Sequence, residues 1–108
     1  MTNAEIRSIL DETGIYYDPD HPDFVESAKK EDLTSFLEWE TEEISLYADG
    51  VKYYSWLRLT IRLYTDPSDT ETEKALKNAL DSHNLIYDTS KKIIADLMIY
   101  ETTYTLEV

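Results

Sequence analysis

The sequence predicts an α+β domain, a mostly antiparallel or mixed β-sheet of about four strands with two main helices packed on one face. Three observations predict it. Val51, Tyr53, Ser55, Leu57, Leu59, Ile61 and Leu63 alternate with Lys52, Tyr54, Trp56, Arg58, Thr60, Arg62 and Tyr64, the period of a strand. Ala75, Leu76, Ala79 and Leu80 recur instead at helical spacing. The elements follow in the order helix, strand, strand, helix, strand, strand, which suits helices laid over a largely antiparallel sheet.

The leading helix occupies residues 1–14. Thr2 or Asn3 caps it, Glu5 sits in the first turn where the helix dipole favours an acid, and Ile6, Ile9 and Leu10 form its apolar stripe. Gly14 suits the stop. Residues 16–32 are polar and acidic, with Pro19, Pro22 and turn-forming aspartates, and read as a surface excursion whose later part, 23–30, has room for one or two helical turns. The sheet-plus-helix core is expected over 34–108. Residues 34–41 alternate as a strand, and Asp49-Gly50 marks a tight turn because both residues tolerate positive φ. From Leu57 onward the next strand has one wholly apolar face, whereas the opposite face mixes aromatics with arginines.

Ser68 or Asp69 caps the second helix, which runs to about Ser82 with acids early and lysines late, in register with its dipole. Asn84 substitutes for glycine at its exit. A short strand is expected at Leu85–Thr89 and a long one at Met98–Val108, with Met98, Tyr100, Thr102, Tyr104 and Leu106 on one face. Between them, residues 90–97 read either as a strand with a bend, the preferred reading, or as a helical turn.

At 108 residues the chain makes one domain, and 42% hydrophobic residues allow a modest core. Having no cysteine, it has neither disulfides nor thiolate chemistry. No apolar run approaches the roughly 20 residues of a helical span, and no signal peptide opens the sequence, so a protein that stays where it is made is expected. The formal charge of −13 argues against direct nucleic-acid binding and against an anionic membrane surface. Up to Gly50 the only basic residues are Arg7, Lys29 and Lys30, so the acidity is concentrated in the first half.

Catalysis is not expected. His21 and His83 are the only neutral-pH acid–bases, and Gly14 and Gly50 alone cannot build a phosphate-cradling loop. The segment Asp18-Pro19-Asp20-His21-Pro22-Asp23 is the best metal candidate, but it lacks the glycine and distal glutamate of a calcium loop, so a solvated turn is expected and neither metal nor cofactor. Tyr54, Trp56, Arg58 and Arg62 are residue types enriched at protein–protein hot spots, unless a helix or loop of the same domain covers them.

Three stretches together resemble the tail terminator, or tail completion, family of long non-contractile-tailed phages and prophages of Gram-positive hosts. They are Tyr47-Ala48-Asp49-Gly50-Val51-Lys52-Tyr53; Leu63-Tyr64-Thr65-Asp66-Pro67-Ser68-Asp69 running into Glu71-Thr72-Glu73-Lys74-Ala75-Leu76; and Ile86-Tyr87-Asp88 followed by the tyrosine-rich 98–104. The likeness covers about two-thirds of the chain. The first strand departs from the family's proline-bearing apolar segment, and the acidic excursion is longer than the family's.

The resemblance implies a structural virion protein at the tail–head junction, present in the host cytoplasm during assembly. Such proteins form a ring, typically a hexamer, that caps the tail tube, stops its polymerisation and provides the head–tail joining surface. Implied partners are further copies of the chain, the tail tube protein and a neck or head-completion protein, with no sequence-specific nucleic acid and no membrane. A cyclic ring needs two different patches on each subunit. The candidates are Tyr54, Trp56, Arg58 and Arg62; the segment 38–50 with Trp39, Glu40, Glu42, Glu43 and Asp49; and the acidic loop with Asp18, Asp20 and Asp23. The alternative from the charge alone is an acidic protein-binding module, a DNA mimic or inhibitor.

Overall fold

The computed structural model describes residues 1–26, 35–94 and 98–108, apart from the side chains of 48, 52 and 53. Helix α1 (Asn3–Asp11) is followed by loop residues 12–26; the further elements are β1 (Ser35–Ala48), β2 (Val51–Thr65), α2 (Glu71–Ser82), β3 (Asp88–Ile94) and β4 (Ile99–Glu107). The four strands form one sheet in the order β1-β2-β4-β3, and every neighbouring pair is antiparallel. This is the α+β architecture expected.

Each element begins and ends where local chemistry directs. Thr2 and Glu5 close a capping box at the start of α1, satisfying two otherwise orphaned N–H groups. Gly14 follows at φ +71°, the left-handed region that costs glycine least. At α2 the formal cap is Thr70, but Asp69 performs the capping, its carboxylate accepting from the Thr72 N–H at 3.1 Å and the Thr72 hydroxyl at 2.6 Å. These bonds hold the Asp69 carboxyl below its usual range. Asn84, at φ 57°, ends the helix as expected.

The helices lie on one face of the sheet. Ile6, Ile9 and Leu10 of α1 and Leu76, Ala79 and Leu80 of α2 form one buried cluster with Leu37, Trp39, Leu59, Ile61, Leu63, Tyr104 and Leu106. The odd-numbered face of β2 is therefore the core face.

Three boundaries differ from the sequence expectation. β1 runs on to Ala48, because the acidic stretch after Thr41 pairs throughout with β2, interrupted by a register shift at Leu46/Tyr47. β3 begins at Asp88 rather than Leu85 and absorbs Lys91 to Ile94, as the strand reading preferred. Met98 precedes β4 at φ 52° and is exposed, so it is not on that strand's inner face. The helical turns considered for 23–30 are absent over 23–26; the remainder lies outside the described residues.

Candidate assembly interface

The β1–β2 hairpin is longer than the sheet that carries it. β4 pairs with β2 only over Arg58–Thr65, extended by reciprocal Leu57–Val108 backbone bonds of 3.0 and 2.8 Å. Beyond Leu57, β1 is the only strand partner of β2 among the described residues, so the hairpin continues as a two-stranded ribbon for about 20 Å. Its tip is Asp49-Gly50, with φ of 54° and 76°, the positive values a tight hairpin requires. Leu46, Tyr47, Val51 and Tyr54 on this ribbon are each more than half exposed. A two-stranded ribbon has no interior, so its apolar side chains have only each other to pack against.

The aromatic and arginine face divides at Thr60. On the ribbon side, Tyr54 and Trp56 lie with ring centroids 5.4 Å apart, and Arg58 pairs with Glu107 at 3.1 Å with much of its side chain in solvent. The Trp56 indole N–H is buried without an acceptor among the described residues. An open cleft of about 360 Å³ lies where β4 stops beside β2, lined by Glu43, Tyr54, Trp56, Leu57 and Val108 among others.

On the other side, the acidic loop folds over the sheet and ties itself down. Arg62 donates to the Asp23 carbonyl at 2.9 Å and to Glu40 at 3.0 Å, and its Nε lies 3.6 Å from Glu38. Burial pulls the Arg62 guanidinium down, but the bond to Glu40 and its charge, with Tyr64 and Glu38 beyond, hold it above its usual value. Glu38 is 3% exposed and accepts from the Val25 N–H at 2.7 Å. Burial, then the Glu38 and Glu101 carboxylates, push the Tyr64 phenol up to about 12. The loop also takes part of the outer edge of β1, where Leu37 and Trp39 donate to the carbonyls of Tyr16 and Pro22.

Of the twelve residues expected at an interface, the structure groups Tyr54, Trp56, Arg58, Glu42, Glu43 and Asp49 on the ribbon and its base. Arg62 and Glu40 form an internal clamp on the loop. Trp39 is corrected outright. It is 2% exposed, belongs to the helix-side core, and has Arg7 over its ring at 5.5 Å. Asp18 closes a turn, accepting from the Asp20 and His21 N–H groups, and Asp23 contributes a carbonyl to the clamp. No group of three potential metal-ligating side chains occurs among the described residues. Sequence reasoning missed the Glu38–Arg62–loop clamp. Its one signal was an acid and a base on the same sheet face, and their cross-strand pairing needed the register. No helix among the described residues is long and apolar enough to cross a membrane.

No family model matches the chain, and neither a curated protein nor a solved structure matches it.

Proposed function

We propose that this chain is a non-enzymatic virion assembly protein that forms a ring on the end of a phage tail tube, stops tube growth there and offers the joining surface to the head. The observation that carries the reading is the projecting ribbon, where Leu46, Tyr47, Val51 and Tyr54 stand in solvent at one end of a 51 Å molecule. Exposed apolar side chains gathered on an arm have a use when another protein covers them. The resemblance adds direction, since its first motif, 47–53, is the tip of that ribbon and its second runs from the end of β2 into α2. A growing tube end exposes unsatisfied interface; a cap covers it without regenerating the same end. The acidic surface would keep DNA from adhering as it passes.

The test is co-assembly with a tail tube protein from the same genome. Tubes grown with the wild-type protein stop elongating and carry it at one end in electron micrographs. The double variant Leu46→Ser/Tyr54→Ser leaves tubes uncapped, while its own unfolding free energy stays within about 0.5 kcal/mol of wild type, as for other surface positions. Unrestricted tube growth in the presence of wild-type protein overturns the reading, and recovery of the chain bound to a DNA-binding protein would favour the DNA-mimic alternative.

A further inference from the structure

We propose that, away from a tube end, two copies of this chain pair through their hairpin ribbons, apolar face to apolar face and running antiparallel. The proposal deepens the reading above: it rests on the ribbon being the chain's association surface, and it names what covers that surface when no tube is present.

The apolar side of the hairpin changes over along its length. In the base, Leu37, Trp39, Leu59, Ile61 and Leu63 face the helices, and the opposite side carries Glu38, Glu40, Arg58 and Arg62. In the ribbon, the cross-strand pairs on that opposite side are Ile44–Trp56 and Leu46–Tyr54, whereas the helix side holds Ser45–Ser55. The register shift at Leu46/Tyr47 adds one residue to β2, so Val51, opposite residue 48, returns to the Leu46 side. The pair Glu42–Arg58 marks the changeover. The helices therefore lie on the far side of the sheet from these side chains. Leu46, Val51 and Tyr54 are each more than half exposed.

Charge and area point to a second copy as the cover. Residues 44–57 hold one acid, Asp49, and one base, Lys52, so this stretch is neutral within a chain of charge −13. Two such chains repel each other, and least where neither carries net charge. A strongly basic partner finds no charge here to neutralise, whereas a second ribbon brings a neutral apolar face of the same size. Ile44, Leu46, Val51, Tyr54 and Trp56 together present roughly 400 Å², the size of the largest and often functional patches on monomers. Covering this face and its rim on both copies removes about 1,000 Å² from water, the size of a transient interface, so the pair is weak and reversible.

The loop sets the orientation. It stands on this same face over the base, where Arg62 donates to the Asp23 carbonyl. Ribbons laid parallel would bring loop onto loop, each carrying Asp18, Asp20 and Asp23. Laid antiparallel, the two loops sit at opposite ends. Leu46 is the midpoint between Glu42 and the Gly50 tip. A two-fold axis there sets Leu46 against Leu46, Tyr54 against Tyr54, and Trp56 of each copy over Val51 of the other. Asp49 at each tip then falls beside the other copy's Arg58, much of whose side chain is in solvent. Such a contact is isologous and closes at two copies. Its apolar side chains stay covered until a tube end displaces the second copy.

Sedimentation equilibrium of the full chain over a concentration series tests the pairing. Wild type passes reversibly from monomer to dimer and no further. Leu46→Ser/Tyr54→Ser raises the concentration needed by at least about tenfold, with its urea unfolding unchanged. Added salt tightens the wild-type dimer, because screening relieves the repulsion between two acidic copies; a contact built of ion pairs would loosen instead. With no native cysteine, Leu46→Cys places a single thiol at the axis of each copy. A short bifunctional maleimide spanning the ~10 Å between packed sheets then joins two copies. Ser55→Cys, on the helix side of the ribbon, gives no such product. A monomer at every concentration, a mass that grows past dimer, a dimer loosened by salt, equal cross-linking of both cysteine variants, or a monomer that partitions into phosphatidylcholine vesicles would overturn the proposal. A dimer from a chain that caps no tube leaves the pairing standing and removes the tail reading; capping by a chain that is monomeric at every concentration does the reverse.

Discussion

Three elements meet at Glu38. Its carboxylate accepts from the loop at Val25, faces Arg62 across the β1–β2 pair, and lies beside Tyr64. Buried and charged, it is tolerated because each oxygen has a partner. Replacing it with alanine leaves a buried N–H without an acceptor and removes one of Arg62's carboxylates. Glu38→Ala should therefore lower the unfolding free energy in urea by about 2 kcal/mol, and Glu38→Gln, which keeps an acceptor, by less. Tyr64 gives the site a pH signature. Its folded value of about 12 lies above the ordinary 10.0, so the folded state holds the phenolic proton after the unfolded chain has released it. The stability this contributes is complete below pH 10 and is lost as pH rises through about 12. In Tyr64→Phe the decline in melting temperature across that window should be shallower than in wild type; an equal decline would place the loss elsewhere.

At the scale of elements, the β1–β2 hairpin does two different jobs along one pair of strands. Its base, from Ser35 to about Thr41 with the facing half of β2, is sheet and core. Its outer part is a ribbon held by cross-strand pairs and a two-residue turn. That turn depends on Gly50, whose φ of +76° any side chain would strain even though the space around it is open. Gly50→Ala should destabilise the ribbon by about 1 kcal/mol, read as faster amide exchange over residues 44–55 with the core strands unaffected. The strand was legible because Leu57, Leu59, Ile61 and Leu63 alternate without exception. The extension of β1 was not, since Glu42, Glu43 and Ser45 have little strand propensity of their own. They are strand because β2 lies beside them, a tertiary pairing that overrides local preference.

For the whole molecule, charge is the dominant bulk property. At −13 the compact state repels itself, so added salt should raise the melting temperature between low and moderate ionic strength, and a flat response would show the acids already neutralised by internal pairing. The distribution matters more than the total. The acids of β1 stand at one edge of the sheet and Lys91 and Lys92 at the other, a polarity that exists only because the order β1-β2-β4-β3 separates those strands. Sequence by itself determined the α+β class, both helix cores, the Asp49-Gly50 turn and the buried face of β2, because these depend on periodicity and on backbone preferences that act over a few residues. It could not tell Trp39 from Trp56: both are tryptophans in strands, and only the packing of α1 makes the first core while the second is left on the ribbon. Tertiary structure alone decided how far the hairpin outruns β4, which arginine clamps the loop, and which strands become edges. Those outcomes depend on residues far apart in the chain meeting in a particular register, and no local pattern encodes that meeting.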